Sequence, residues 1–520
     1  MDIKNIMASV FNYLGDINKI NFLSTCKTFH QMKSLSTFDE LVNIEDILHL
    51  SYRKSFTNIF IEKLEFTAFS EDGDHYFETK TSIKIDKDFL FGVKKLTFGE
   101  QMNDSIQNLI PNTVTHVTFG NNFNQDINGC IPDSVTHIEF GHYFNQEIKD
   151  CIPNSVTHIT FGNMFNKEIK DCFTKSVTHI IFGSRFNQNI KDCIPDSVTH
   201  LTFGRQFNQD IKGCLPDSII HLTFGYCFDQ NIRGCIPKSV AYLTFGYYFD
   251  QDIRGCIPLS SSEEKVERNK RIVSSLLPNS LISLTFGHNF NQDIRGCIPN
   301  SVTHLTFGHN FNQDIRGCIP DSVISITFGH YFNQDIRGCI PDSVIHLTFG
   351  HDFNQDIRGC IPDSVIHLTF GHDFNMSIKN CIPAKVTRLI FGNNFNRDIR
   401  GCIPKSVTEL IFGNDFNKKI TDSIPPFVTH LTFGSCFNQD IRGCIPSSVT
   451  YLAFGDNFNQ NIKDCIPPLT THLILGEKFN QIIYGAIPKS VKYLSINRSY
   501  EELISCNRNM GRNVRVEYIQ

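Results

Sequence analysis

The sequence predicts a mainly β repeat solenoid with one parallel strand per 21-residue turn, preceded by a small helical domain. Three observations predict it. First, one segment is copied outright: "FNQDIRGCIPDSVIHLTFGHD" runs from Phe332 to Asp352 and again, unchanged, from Phe353 to Asp373. Second, near-copies recur at that period in about eighteen turns between Val93 and Ile496, and a fixed period of roughly 20–30 residues marks a stack of repeats. Third, residues 1–40 lack the period and space their apolar residues as a helix does.

Each turn supplies one strand and two corners. In "VIHLTFG", Val365 to Gly371, Leu368 and Phe370 alternate with His367 and Thr369. Alternation places the first pair inside and the second pair outside. Gly371 is expected to permit a bend. "FNQDI" sends Phe353 and Ile357 inward. "CIPDS" makes the second corner, because proline lacks the N–H that a central ladder needs. Each turn thus offers two Phe, two Ile, Cys, Val and Leu to its neighbours. A lone turn of this length could not hold itself together; stacking must stabilise it.

Composition narrows the function. The chain has 520 residues, a formal net charge of -5, 47 Phe, 19 Cys and no Trp. It lacks the basic footprint of nucleic-acid binding. No apolar run reaches the ~20 residues of a membrane span, and the start, "MDIKNIMASVFNYLGDINK", does not read as a signal peptide. Cys recurs once per turn, as at Cys318, Cys339 and Cys360, and Ser423 and Ala486 take the same slot. That slot therefore reads as small and buried. So many thiols imply a reducing, intracellular compartment.

The remaining columns read as surface. Asn333, Asn354 and Asn375 are expected to stack their amides and satisfy corner groups, with Asp229 and Asp250 as substitutes. Asp335 with Arg337 and Asp356 with Arg358 read as solvated charge ladders. One His column occupies the outward strand face: His116, His137, His158, His179, His200, His221, then His304, His346, His367, His430 and His472. Tyr242, Ser283, Ser325, Arg388, Glu409 and Tyr451 interrupt it. A catalytic column would not tolerate that; a recognition face can use it, and the pattern fits merely soluble strand filler equally well. A second column follows the Gly: His288, His309, His330, His351 and His372. Stacked imidazoles should oppose one another's protonation. A zinc site where the columns meet, at His346 and His351, would need a carboxylate or Cys that the sequence does not visibly supply. No metal, cofactor or catalytic residue is assigned. The expected target face is His137, His158, His179, His200, His221, His304, His346, His367, Thr348 and Thr369.

The Phe-Asn, Ile-Pro and "SVxxLxFG" elements resemble the FNIP repeat, a relative of the leucine-rich repeat found in amoebae and in giant viruses that infect them. The resemblance implies a leucine-rich-repeat-like solenoid with one parallel sheet along its side. In residues 1–40, Ile3, Ile6, Val10 and Leu14 share a helical face, and "CKTF" follows at Cys26 to Phe29. This resembles an F-box, although the family's Leu-Pro start is absent. The pairing of the two implies an F-box/FNIP-repeat protein, viral or amoebal. Such a protein would be a non-enzymatic substrate receptor. Its F-box would dock a Skp-type adaptor and cullin complex through Ile3, Ile6, Phe11, Leu14, Leu23 and Cys26, and its repeats would hold an unknown protein target. The chain would be monomeric outside that complex and would sit in the host cytoplasm if viral. The plainer alternative is an interaction scaffold whose N-terminal helices only cap the stack.

The joints follow. Residues 41–92 read as linker or degenerate repeats. Residues 259–278 interrupt the repeat as a loop with a short helix, which Ser261 and Glu264 would cap and Val266 and Val273 would face. Residues 497–520 read as a closing cap.

Overall fold

The structure, a computed structural model, describes residues 41–44, 56–61, 65–70, 79–84, 87, 90, 92–256, 273–275, 277–501 and 514–519. The F-box-like segment 1–40, with Ile3, Ile6, Phe11, Leu14, Leu23 and Cys26, lies outside them. The chain divides into two compact units, Met1–Gln230 and Asn231–Gln520. Each is a parallel β-solenoid.

In the N-terminal unit, Asn58–Ile61 pairs in parallel with Lys95–Phe98, and that strand with His116–Thr118. The ladder continues through His137–Glu139, His158–Thr160, His179–Ile181, His200–Thr202 and His221–Thr223. Val42–Asn43 pairs in parallel with Asn58–Ile61, so two strands precede the regular repeats. Glu65–Ser70 and Thr79–Lys84 form an antiparallel hairpin between them.

In the C-terminal unit the same ladder runs from Tyr242–Thr244 through Ser283–Thr285 and onward to His472–Ile474. It closes with Tyr493–Asn497 and Arg515–Ile519, again parallel. Register is fixed residue for residue: His346 faces His367, Leu347 faces Leu368, Thr348 faces Thr369. A slip of one residue would turn the buried Leu outward, which is why the register holds.

The core is the one the alternation predicts. Phe353, Ile357, Val365 and Leu368 are fully buried; Phe370, Cys360 and Ile361 nearly so. The two Phe columns interleave as one ladder of rings: Phe349 lies 3.9 Å from Phe353 and 5.8 Å from Phe370, all stacked. A fixed offset of rings turn after turn favours Phe, whose edges and faces both pack apolar neighbours.

Corners are closed by side chains of the adjacent turn. The backbone N–H of Asn333 donates to Oδ1 of Asn312, and that of Asn354 to Oδ1 of Asn333. Gln355 Nε2 donates to the same Oδ1 at 2.9 Å. Asp250 accepts from the Asn291 N–H in the same way, so Asp serves where Asn stood. Ser343 Oγ donates to the Val323 carbonyl at 2.6 Å, tying the other corner across turns. The Cys360 thiol points at the carbonyls of Arg358 and Asp356, and Ser423 Oγ donates equivalently to Thr421. Ala486 fills the slot without a donor, so the slot selects small size, and the thiol or hydroxyl bond is optional.

Two expectations need correction. Gly371 does not serve a bend: a Cβ there would lie 1.6 Å from the Gly350 carbonyl oxygen, so close approach of turns demands glycine. The left-handed corner is instead at Gly359, φ +66°, a slot that Asp150, Asp171, Asp192, Asn380, Asp422 and Asp464 also fill. At the 259–278 insertion, Arg254–Cys256 pairs antiparallel with Val273–Ser275. Val273 thus lies in a strand and not on a helix face. A chain that leaves and re-enters a stack satisfies its backbone groups by pairing with itself. Ser261, Glu264 and Val266 lie outside the described residues.

Candidate recognition face and histidine columns

The outward strand positions of the N-terminal unit form an unbroken stack of six imidazoles. Ring centroids of His116, His137, His158, His179, His200 and His221 are 4.0 to 4.2 Å apart. Parallel pairing in register forces this, because every turn puts its His at the same rung. Each ring is half-buried. Thr136 Oγ1 lies 2.8 Å from His137 Nδ1, and Thr157 repeats this with His158. The preceding Thr therefore orients the rings from His116 to His200, a role that the repeated "VTH" signalled but sequence reading missed; His221 follows Ile220 instead.

These imidazoles resist protonation. Burial is the largest cause, and the neighbouring imidazoles add to it. Together they hold His137 and His179 down to about 4. His158, His200 and His221 are lowered by burial in the same sense. The expectation that stacking disfavours charge holds in direction, but desolvation leads.

In the C-terminal unit the strand-face column is discontinuous. His304 is exposed between Ser283 and Ser325. His346 and His367 meet edge to face, with their Nδ1 atoms 3.0 Å apart. Thr348 and Thr369 sit beside them, half-buried. The Arg388 and Glu409 interruptions are a matched pair: they occupy adjacent rungs and bridge at 2.9 Å. His430, Tyr451, His472 and Tyr493 continue the column, with centroids 5.7 to 5.9 Å apart.

The second column forms its own stack. Tyr247, His288, His309, His330, His351 and His372 lie 4.0 to 4.3 Å apart. His288 and His309 meet the side-chain oxygens of Asn289 and Asn310 at 3.0 Å, and His351 and His372 meet carboxylates, Asp352 and Asp373 lying 2.7 Å from their Nδ1 atoms. Strand alternation would send adjacent residues to opposite faces, but residues 351–352 and 372–373 occupy turns. This is why the sequence pattern hid the pairing.

The Asp–Arg pairs stay within their own turns. Arg337 Nη2 bonds Asp335 Oδ2 at 2.6 Å, with both side chains well exposed. Arg254 also reaches the next turn, to Asp293 at 3.4 Å. Among the described residues no helix is long and apolar enough to cross a membrane.

Comparison with known proteins agrees with this geometry. The FNIP Repeat family matches in successive segments, the first at 123–164 and the last at 458–499. An FNIP repeat-containing protein of Acanthamoeba polyphaga mimivirus is 28% identical over 113 residues, 22% of this chain and 25% of that protein. The chain thus matches about a quarter of that relative's length. The crystal structure of CroV588, described as a novel circular LRR protein, aligns with TM-score 0.69 at 33% identity, over 93% of this chain and 78% of that one. YopM from Yersinia enterocolitica aligns at TM-score 0.42 and 13% identity, over 81% of this chain and 86% of that one. With its repeat matched over most of its length and its solenoid shared with a leucine-rich-repeat structure, this chain belongs to the FNIP repeat family.

Proposed function

We propose that this chain is a non-enzymatic protein-recognition subunit. Its strand face holds a protein target, and residues 1–40 couple it to a Skp-type adaptor of a cullin ubiquitin ligase. One observation carries the recognition reading: the continuous, half-buried stack from His116 to His221 on the solvent side of a parallel sheet. Such a stack is aromatic and uncharged near neutral pH. Interface cores are enriched in aromatic groups and depleted of charge, and a parallel array of rings keeps its own shape on binding. The target residues are His137, His158, His179, His200 and His221 in the first unit, and His304, His346, His367, Thr348 and Thr369 on the strand face of the second. The ligase coupling is supported by the F-box-like pattern of Ile3, Ile6, Phe11, Leu14, Leu23 and Cys26 beside FNIP repeats. Ubiquitin transfer belongs to the partners.

The test is co-purification of the full chain with a Skp-type adaptor. Binding is expected, and Phe11→Asp with Leu14→Asp should abolish it while circular dichroism shows an intact solenoid. Absence of binding by the unmutated chain would refute the ligase coupling. Target capture should be lost in a His158→Asp, His179→Asp variant that still binds the adaptor; capture undiminished there would refute the recognition face.

A further inference from the structure

The second His column contains a cluster that the recognition reading does not use. Along this column the imidazoles are evenly stacked, but the residue after each one changes. It is Asn289, Asn310 and Tyr331 after His288, His309 and His330, and it becomes Asp352 and Asp373 after His351 and His372. Carboxylates thus enter the stack at two successive rungs only. Asp352 Oδ1 lies 2.7 Å from His351 Nδ1 and 3.5 Å from His330 Nε2. Asp373 lies 2.7 Å from His372 Nδ1 through Oδ1 and 3.9 Å from His351 Nδ1 through Oδ2. In each triad, His330–His351–Asp352 and His351–His372–Asp373, one donor atom from every residue lies within 4.8 Å of the others.

We propose that these five side chains form a binding site for one divalent transition cation of the zinc class. Imidazole with carboxylate suits zinc, nickel or copper better than calcium or magnesium, which prefer all-oxygen shells. Zinc–nitrogen and zinc–oxygen bonds of about 2.0–2.2 Å set donor atoms roughly 3.3–3.5 Å apart in a tetrahedron. The His330–Asp352 spacing already meets this. The 2.7 Å His351–Asp352 contact is a hydrogen bond, and the cation replaces its proton, letting the two atoms part by under 1 Å.

The stoichiometry follows from His351. Its Nδ1 faces both carboxylates, so an ion seated in one triad takes the shared ligand from the other. The frame around the ligands is already built. Backbone N–H groups of Asp352 and Asp373 donate to the carbonyls of His330 and His351 at 2.8 Å, and Asn394 Nδ2 donates to Asp373 Oδ1 at 2.8 Å. Such outer contacts fix ligand orientation. The five side chains are 33% to 38% exposed, which leaves the remaining coordination positions open to water or to a side chain of a bound protein.

The test is calorimetric titration of the full chain with zinc chloride at pH 7.5 in a non-chelating buffer. One equivalent is expected to bind. His351→Gln, which breaks both triads, should weaken binding at least a hundredfold and the double variant Asp352→Asn, Asp373→Asn at least tenfold, while His309→Gln, in the same stack but without a carboxylate, should leave it unchanged. The double Asn variant keeps the shape of both side chains, so a folding defect in His351→Gln would not remove the test. The proposal is overturned if the wild-type chain shows no saturable site, if the double Asn variant binds as tightly as wild type, or if His309→Gln weakens binding as much as His351→Gln.

Discussion

Two glycines twelve residues apart should respond to the same substitution very differently. At Gly371 an added Cβ would sit 1.6 Å from the Gly350 carbonyl oxygen and 2.4 Å from its carbon. Ordinary contact needs about 3.4 Å, so one turn would have to move nearly 2 Å from the next. That is a large fraction of the ~4.8 Å strand spacing. The same oxygen accepts the Phe353 N–H at 3.3 Å, and the methyl would displace that bond. Overpacking commonly costs about 1–3 kcal/mol, and a lost backbone hydrogen bond adds about 1 kcal/mol or more. A clash with backbone of this size belongs at the top of the overpacking range, so Gly371→Ala should cost about 4 kcal/mol. At Gly359 a Cβ meets nothing within 4 Å, and only the left-handed backbone, φ +66°, opposes it. Gly359→Ala should cost about 1–2 kcal/mol, and Gly359→Asn less, since Asn380 holds that conformation natively. Repeat arrays need not unfold in one step. The suitable assay is therefore amide hydrogen exchange at the His346–Thr348 and His367–Thr369 strands, read beside urea midpoints. If Gly371→Ala and Gly359→Ala fall within 1 kcal/mol of each other, the close-approach account is wrong.

Three further outcomes are expected. His137 and His179 titrate near 4 when folded and near 6.5 when unfolded. The unfolded chain then binds more protons between those values, so stability is full above about 6.5 and is lost as pH falls toward 4. After discounting for solvent at half-exposed rings, about 1 kcal/mol each is expected. The difference between urea midpoints at pH 7 and pH 5 should shrink in a His137→Gln, His179→Gln variant, with the rest left to His158, His200 and His221, and an unchanged difference would contradict the assignment. Asn333→Ala removes the acceptor of the Asn354 N–H and should cost about 1–2 kcal/mol, whereas Asn333→Asp should lie near wild type, as Asp250 does natively; equal losses in thermal melts would refute the corner role. Burial and nearby carboxylates push the Cys151 thiol up to about 11 and Cys297 to about 12. Iodoacetamide at pH 8 should label half-exposed Cys227 and Cys436 well before either, and mass mapping after a short pulse would show the reverse if the column were accessible.

Much of this solenoid can be read from local pattern. Leu368 and Phe370 alternate with His367 and Thr369, and alternation alone assigns the faces. Ser423 and Ala486 in the Cys slot define its size. Asp250 in the Asn slot identifies the slot by its acceptor oxygen. The parallel ladder follows from the period, because identical turns can only stack in register. These properties repeat within one turn, so one turn's residues suffice to determine them.

What the tertiary structure decided lies between turns. Gly371 reads in sequence as a bend, and only the position of the Gly350 carbonyl shows that it is a contact. Arg388 and Glu409 read as two interruptions 21 residues apart, yet they are one ion pair across adjacent rungs. Asp352 looks like a solvated neighbour of His351, and only the stack brings His330 to its other side. Val273 follows a helical pattern but pairs with Cys256, because an excursion must satisfy its own backbone before it rejoins the stack. In each case the deciding distance joins residues about one turn apart, and a pattern read along the chain carries no information about separation across it.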